Sequence, residues 1–155
     1  MNMKNQTYLY CDTEFNGFGG ELISMALVNP EDNSSWYGVK SISHMQIHPW
    51  VLDNVVPKLY PEMSVPINGE YEFRKSLWQY VGKYKDTRIT IVADWPEDLA
   101  FFASHMCWSE GQRPRINFDL RLISTGHMQT TDPHNALADA CDLSDWCHEN
   151  KDKWE

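Results

Sequence analysis

The sequence is poor in basic residues, with 13 lysines and arginines against 22 aspartates and glutamates and a net charge of −9. Domains that grip nucleic acid through its phosphates are usually basic, so tight binding of a polyanion by side-chain charge alone is not expected. Divalent cations held by carboxylates reverse the local field and let an acidic protein act on a polyanion. If this protein acts on a polyanion, we therefore expect a cluster of acidic residues that holds divalent cations.

Cysteines and long apolar runs are also scarce. The four cysteines, Cys11, Cys107, Cys141 and Cys147, form no CxxC pair, which argues against a disulfide framework or a zinc knuckle and favours reduced thiols. No apolar run reaches the roughly 20 residues of a membrane helix. We therefore expect a soluble, cytoplasmic protein with no membrane partner.

The 155 residues suit one domain, spanning 1–155, and 42% of them are hydrophobic, as in a globular protein. Apolar patterns predict strands at 7–11, 21–28, 35–39 and 88–93. They predict helices at 70–84, 97–106 and 135–150, with short helical turns at 49–60 broken at Pro57. The turn residues 29–34 predict a hairpin, so the chain is expected to form a mixed α/β layer domain with a β-meander first and a helix last.

The first chemical signal is Asp12-Thr13-Glu14 at the end of the first predicted strand. Residues two apart in a strand face the same way, so Asp12 and Glu14 project together. Paired carboxylates repel one another unless cations intervene, and two ions about 3.5 to 4 Å apart are the usual arrangement for phosphodiester cleavage. The alternative is a solvated strand end, and the motif alone does not decide between them.

The second signal is Asp94-Trp95-Pro96-Glu97-Asp98, which follows the strand at 88–93 and opens a helix. We predict that Asp94 caps this helix, with Glu97 as its capping-box partner. Asp98 is then a spare carboxylate in the first turn that can point toward Asp12. The alternative is an acid that complements the helix dipole.

The third signal is His134, just ahead of the last predicted helix, with Asp139 five positions later inside it. Asp139 could complete a metal site while His134 reaches the attacking water. Histidine suits proton transfer because its ordinary pKa lies near neutrality. The alternative for His134 is a lone surface histidine.

Together these motifs resemble the histidine-bearing branch of the DEDD superfamily of 3′–5′ exonucleases, the DEDDh or DnaQ-like enzymes. Asp12-Thr13-Glu14 corresponds to the D-x-E motif, Asp98 to the central aspartate, and His134 with Asp139 to the H-x4-D motif. The tyrosine-bearing branch would have tyrosine at the position of Asn135.

Within the superfamily the chain is most similar to RNase AS, a family of exoribonucleases that prefer adenylate-rich 3′ ends. The segments that carry this likeness are 12–15, 21–24, 49–51, 56–59 and 118–121. The resemblance implies an RNase H-like fold and a homodimer that shortens single-stranded RNA. It also implies two Mg²⁺ or Mn²⁺ ions held by Asp12, Glu14, Asp98 and Asp139, with His134 activating water.

Two positions depart from many relatives. Phe15 stands where threonine is common, and it could stack on a terminal base or belong to the core. Asp94 stands where asparagine is common, and it is the reserve ligand if Asp98 points away. Arg121 is among the few basic residues that could track the nucleic-acid strand, with solvated surface as the alternative.

Two other motifs and two other functions are less well supported by the sequence. His44 and His48 are spaced like a zinc-binding pair but lack the glutamate of H-E-x-x-H, and the glycines at 17–20 lack the setting of a phosphate-binding loop. The alternatives to an exoribonuclease are a 3′–5′ exodeoxyribonuclease with the same metal chemistry and a catalytically silent binding module. The exodeoxyribonuclease would differ from an exoribonuclease in its contact to the 2′-hydroxyl of the substrate, which DNA lacks.

Overall fold

A five-stranded mixed sheet with helices on both faces forms the domain, in a computed structural model that describes residues 5–108, 111–126 and 128–155. The strands are β1 (Gln6–Phe15), β2 (Leu22–Asn29), β3 (Ser34–Val39), β4 (Arg88–Ala93) and β5 (Phe118–Leu122). The helices are α1 (Pro49–Asn54), α2 (Glu70–Gly82), α3 (Pro96–His105), α4 (Ala136–Glu149) and α5 (Lys151–Trp154). Two 3₁₀ turns, Val56–Lys58 and Pro61–Met63, follow α1. The α/β class is confirmed.

The sheet has the strand order β3-β2-β1-β4-β5. β1, β2 and β3 are antiparallel neighbours, while β4 and β5 run parallel to β1, so the opening meander is confirmed. The β2–β3 turn forms as predicted, because the side chains of Asn29 and Asp32 accept hydrogen bonds from the backbone N–H groups of Glu31 and Ser34. Asn33 adopts a left-handed φ of 55°, which asparagine tolerates better than most residues.

Alternation along β1 divides the core into two layers. Leu9 and Cys11 face α2 and α3, whereas Tyr10 faces α4. Small residues on α4, Ala136 and Ala140, pack against β2 and β3 and bring the helix close to the sheet. The side of β1 that faces α4 is therefore also the side from which Asp12 and Glu14 project.

Two features differ from the sequence predictions. The predicted cap of α3 is wrong: Trp95, not Asp94, is the N-cap residue, and no side-chain hydrogen bond from the described residues caps this helix. Asp94 instead accepts a hydrogen bond from Thr125 Oγ1 at 3.2 Å. β5 was not predicted, because all but its first residue are exposed and it lacks the apolar run of a buried strand.

All four cysteines are free thiols, as expected. Within the described ranges, no helix combines the length and the apolar character needed to cross a membrane.

Candidate metal centre

Five carboxylates meet where β1, α3 and α4 approach one another. They fall into two groups that share Asp12, one with Glu14 and Asp139 and the other with Asp94 and Asp98. Within each group the ligand atoms lie within 4.8 Å of one another. Oxygen ligands at this spacing suit hard divalent cations, and the shared aspartate suits two adjacent ions.

Asp98 is positioned by Thr13, the middle residue of the D-x-E motif. Thr13 faces α3, and its hydroxyl and backbone N–H donate to Asp98 Oδ1 at 2.6 and 3.2 Å. Asp98 is only 2% exposed. Asp98 therefore points toward β1, in the direction that the sequence predicted.

Asp139 is positioned by the start of α4. Asn135 caps this helix by accepting a hydrogen bond from Ala138 N–H at 2.9 Å, and its amide donates to the carbonyl of Lys58 at 2.8 Å. Asp139 follows in the first turn, where Oδ2 accepts from the backbone N–H of His134 at 3.1 Å. The cap thus fixes both His134 and Asp139 relative to the 3₁₀ turn Val56–Lys58.

Three carboxylate oxygens at this centre are buried without a hydrogen-bond partner among the described residues: Asp12 Oδ2, Asp98 Oδ2 and Asp139 Oδ1. Leaving a buried charged oxygen unpaired is costly, and most buried polar atoms in proteins are satisfied. Cations would supply the missing partners for all three. The donor set, composed of carboxylates alone, fits Mg²⁺ or Mn²⁺ better than softer metals.

Burial and the repulsion of neighbouring carboxylates raise the pKa of four carboxyls at this centre, those of Asp12, Glu14, Asp98 and Asp139. Burial is the main cause for Asp12, whose pKa lies well above its ordinary range, and neighbouring Asp98 and Glu14 raise it further. Burial likewise raises the pKa of Glu14 to about 8 and that of Asp139 to about 7. It raises the pKa of Asp98 to about 7 even though the hydrogen bonds from Thr13 act to lower it. Bound cations would favour the ionised forms and reverse this pattern.

His134 lies beside the carboxylates in a cleft that Glu14 also lines. Its backbone has a left-handed φ of 71°, a conformation that is strained for a residue other than glycine. Its ring meets Trp50 edge-on, with centroids 5.0 Å apart. Neither carboxylate group found among the described residues includes His134.

The two proposed substrate residues lie in different places. Phe15 lines the cleft and packs on Phe101, with ring centroids 5.2 Å apart. Arg121 lies on β5, outside the residues that line the cleft, and its guanidinium donates to the carbonyl of Trp154. The structure therefore brings Phe15 to the acidic centre and leaves Arg121 away from it.

Sequence reasoning missed several residues of this region. Thr13 gave no signal because a threonine inside a strand is ordinary, whereas Asp94 was not missed, since the sequence names it as the reserve ligand. Phe18 and Trp50 also line the cleft, and they are 97% and 51% exposed. Exposed aromatic side chains mark a contact surface only once the fold has placed them together.

Neither the comparison with protein-family models nor the search of curated proteins found a match for this chain.

Proposed function

We propose that this protein is a two-metal 3′–5′ exonuclease of the DEDDh type with an RNase H-like fold. The observation that carries the proposal is the pair of carboxylate groups that share Asp12 and contain three buried oxygens without partners among the described residues. A purely structural role would leave this repulsion uncompensated. Two divalent cations compensate it and supply phosphodiester chemistry in one arrangement.

Asp12, Glu14, Asp98 and Asp139 would hold two Mg²⁺ or Mn²⁺ ions, with Asp94 as a further ligand of the group around Asp98. When bound, the ions polarise the scissile phosphate and stabilise charge on the attacking and leaving oxygens. His134, at the rim of the centre, accepts the proton of the attacking water. Cleavage then releases a nucleoside 5′-monophosphate and leaves a 3′-hydroxyl on the shortened strand.

The cleft beside Glu14 favours a single strand as substrate. Phe15, Phe18 and Trp50 present aromatic surfaces on which successive bases can stack without strong sequence preference. The net charge of −9 provides little positive charge to hold a duplex along its backbone. RNA with an adenylate-rich 3′ end is the substrate implied by the resemblance, and a 3′ DNA end is the alternative.

An assay on end-labelled oligonucleotides tests the proposal. Single-stranded RNA and DNA of equal sequence are incubated with Mg²⁺ or Mn²⁺, and the products are resolved by length. We expect stepwise shortening of RNA from its 3′ end, loss of activity in Asp12→Ala and Asp139→Ala, and full activity in the exposed control Asp86→Asn. Hydrolysis that persists in excess chelator would falsify the two-metal proposal, and cuts within a circular substrate would rule out an exonuclease.

A further inference from the structure

A cavity of about 450 Å³ lies between β1, the β2–β3 turn and the C-terminal half of α4. Tyr8 and Tyr10 line it from β1, Pro30 and Glu31 line it from the turn, and Ser144 lines it from the helix. Cavities of this size are typical of sites for small molecules. None of the five carboxylates of the metal centre lines this cavity, so it is a separate site.

Two buried hydroxyl groups belong to the lining of this cavity. Tyr10 is only 6% exposed and Ser144 only 3%. Neither hydroxyl forms a hydrogen bond with any residue that the structure describes. Most buried polar groups in proteins have a partner, and a bound molecule supplies it where the protein does not. The cavity therefore offers two unused hydrogen-bonding groups to an occupant.

The two tyrosine rings form an aromatic wall that is held in place from behind. Both rings meet Trp154 edge-on, with ring centroids 5.2 Å apart for Tyr8 and 6.2 Å apart for Tyr10. Trp154 is itself fixed, because its indole N–H donates to the carbonyl of Cys147 at 2.8 Å. A wall that is already in place loses little freedom when a ligand binds. Aromatic rings attract cations as well as apolar groups.

The rim of the cavity carries an excess of negative charge. Glu31, Asp145 and Glu155 line it, and Lys151 is the only lysine or arginine among the described residues that do so. None of the three acids forms an ion pair with a described residue. Burial is the main cause of the raised pKa of the Tyr10 hydroxyl, and Glu155 and Glu31 raise it further. The negative field of the rim thus reaches the buried hydroxyl.

The placement of these acids suits an organic cation better than a metal ion. Glu31, Asp145 and Glu155 belong to neither of the carboxylate groups that are close enough to share one ion within the described ranges. They surround the cavity instead of converging on a point. A cation of several atoms can balance separated carboxylates while its apolar part contacts the tyrosine rings.

We propose that this cavity binds a small organic ammonium ion with an apolar body. The hydroxyls of Tyr10 and Ser144 accept hydrogen bonds from the ammonium group, and the tyrosine rings cover the apolar body. The carboxylates at the rim balance the positive charge. This site is independent of the proposed nuclease activity, because it shares no residue with the metal centre.

Three probes of similar shape and different charge test the proposal. Phenethylamine, phenethyl alcohol and phenylacetate carry a positive charge, no charge and a negative charge beside the same ring. Amide NMR spectra of the isotope-labelled chain are recorded during each titration, with excess Mg²⁺ present to compete with amine binding at the acidic centre. Small amines of this size are expected to bind with a Kd of about 1 mM. Phenethylamine should shift the amide signals of Tyr10 and Ser144, phenethyl alcohol should bind about fivefold more weakly, and phenylacetate should leave both signals unchanged.

Tyr10→Phe tests the buried hydroxyl, because it removes the oxygen and keeps the ring. Phenethylamine should bind this variant about fivefold more weakly. The melting temperature should not fall, since the hydroxyl has no partner among the described residues to lose. Tyr71→Phe, on α2 and outside the cavity, is the matched control and should bind the amine as the wild type does.

Asp145→Asn and Lys151→Gln test the sign of the charge that the cavity prefers. The first should weaken phenethylamine binding about two- to threefold and the second should strengthen it by a similar factor, whereas Asp152→Asn, exposed and outside the lining, should change little. The proposal would be overturned by equal binding of all three probes, or by effects of the opposite sign in the two charge variants. Unchanged signals of Tyr10 and Ser144 at about 10 mM phenethylamine would also overturn it.

Discussion

Thr13 donates two hydrogen bonds to a single oxygen of Asp98, at 2.6 Å from its hydroxyl and 3.2 Å from its backbone N–H. The residue between the two acids of β1 thus faces away from them and fixes a third acid on α3. Because Oδ1 is held in this way, Asp98 Oδ2 is left buried and unpartnered among the described residues. All three residues of the D-x-E motif therefore shape the acidic centre: Asp12 and Glu14 supply carboxylates, and Thr13 positions Asp98.

Thr13→Val should weaken metal binding. Valine keeps the shape of threonine and the backbone N–H that donates to Asp98 but lacks the hydroxyl donor, so the pKa of Asp98 should rise above its value of about 7. Loss of an outer hydrogen bond to a metal ligand typically costs 10- to 100-fold in metal affinity, and we expect about tenfold at pH 7. Calorimetric titration with Mn²⁺ measures the change, and Thr13→Ser, which keeps the hydroxyl, is the control. An unchanged affinity in the valine variant would mean that Thr13 is only a packing residue.

Metal-free protein should lose stability as pH rises. The folded-state pKa values of Glu14, Asp98 and Asp139, about 8, 7 and 7, lie above those of the unfolded chain. The folded protein therefore binds more protons, and this contribution is complete below about pH 4 and is lost as pH rises through 7 to 8.

Thermal unfolding in chelator at pH 5, 7 and 9 should show this decline. Added Mg²⁺ should raise the midpoint more at pH 9 than at pH 5, because the ligands must be ionised to bind it. Asp12→Asn removes one of the repelling charges and should flatten the metal-free profile. Metal-free stability that increases from pH 5 to 9 would contradict the assigned repulsion.

Asp94→Asn should reduce metal affinity several-fold while preserving the fold. The change removes the charge of one member of the group around Asp98 but keeps an oxygen that can accept from Thr125. Asp94 raises the pKa of both Asp12 and Asp98, so the variant should also bind metal at a lower pH. Mn²⁺ titrations across pH measure both effects, with exposed Asp86→Asn as the control. If Asp94→Asn and the wild type gave identical Mn²⁺ titrations, Asp94 would not be a metal ligand and its role would be limited to the hydrogen bond from Thr125.

His134→Ala should lower turnover by about 10²- to 10⁴-fold while metal binding survives, because proton transfer is lost and ligation is not. Raising pH should partly rescue the variant by supplying hydroxide. Turnover on labelled RNA and Mn²⁺ affinity are measured together, and His44→Ala, outside the cleft, serves as the control. A variant that loses its metal would make His134 a ligand, and wild-type turnover would end its proposed role as base.

Local patterns predicted the elements with strong local signals. Turn residues at 29–34 located the β2–β3 hairpin, and apolar spacing located α2 and α4 to within a few residues. β5 was missed because a parallel edge strand depends on β4, a distant segment of the chain. The cap of α3 was assigned to Asp94 one residue too early, since local capping rules cannot include the competing contact with Thr125.

The sequence predicted part of the acidic site, because some of its residues also stand in local motifs. Asp12, Glu14, Asp98 and Asp139 stand in recognisable motifs, and the structure brings all four together. The aromatic residues of the cleft could not be read, because Trp50 and His134 come from segments far apart in sequence and meet edge-on only in the fold. Arg121 was chosen for its charge, which gives no information about the direction in which a side chain points.

The carboxylates of the candidate metal centre span much of the chain, from Asp12 on β1 to Asp139 on α4. An ion bound between them would act as a reversible cross-link that closes a loop containing most of the domain. Helix α4 contributes Asp139, which accepts a hydrogen bond from the backbone N–H of His134. The helix begins at the Asn135 cap and packs on β1 and β2. Cation concentration would then govern how often the C-terminal part of the chain opens, and amide exchange in the first turn of α4 would slow as the ion binds.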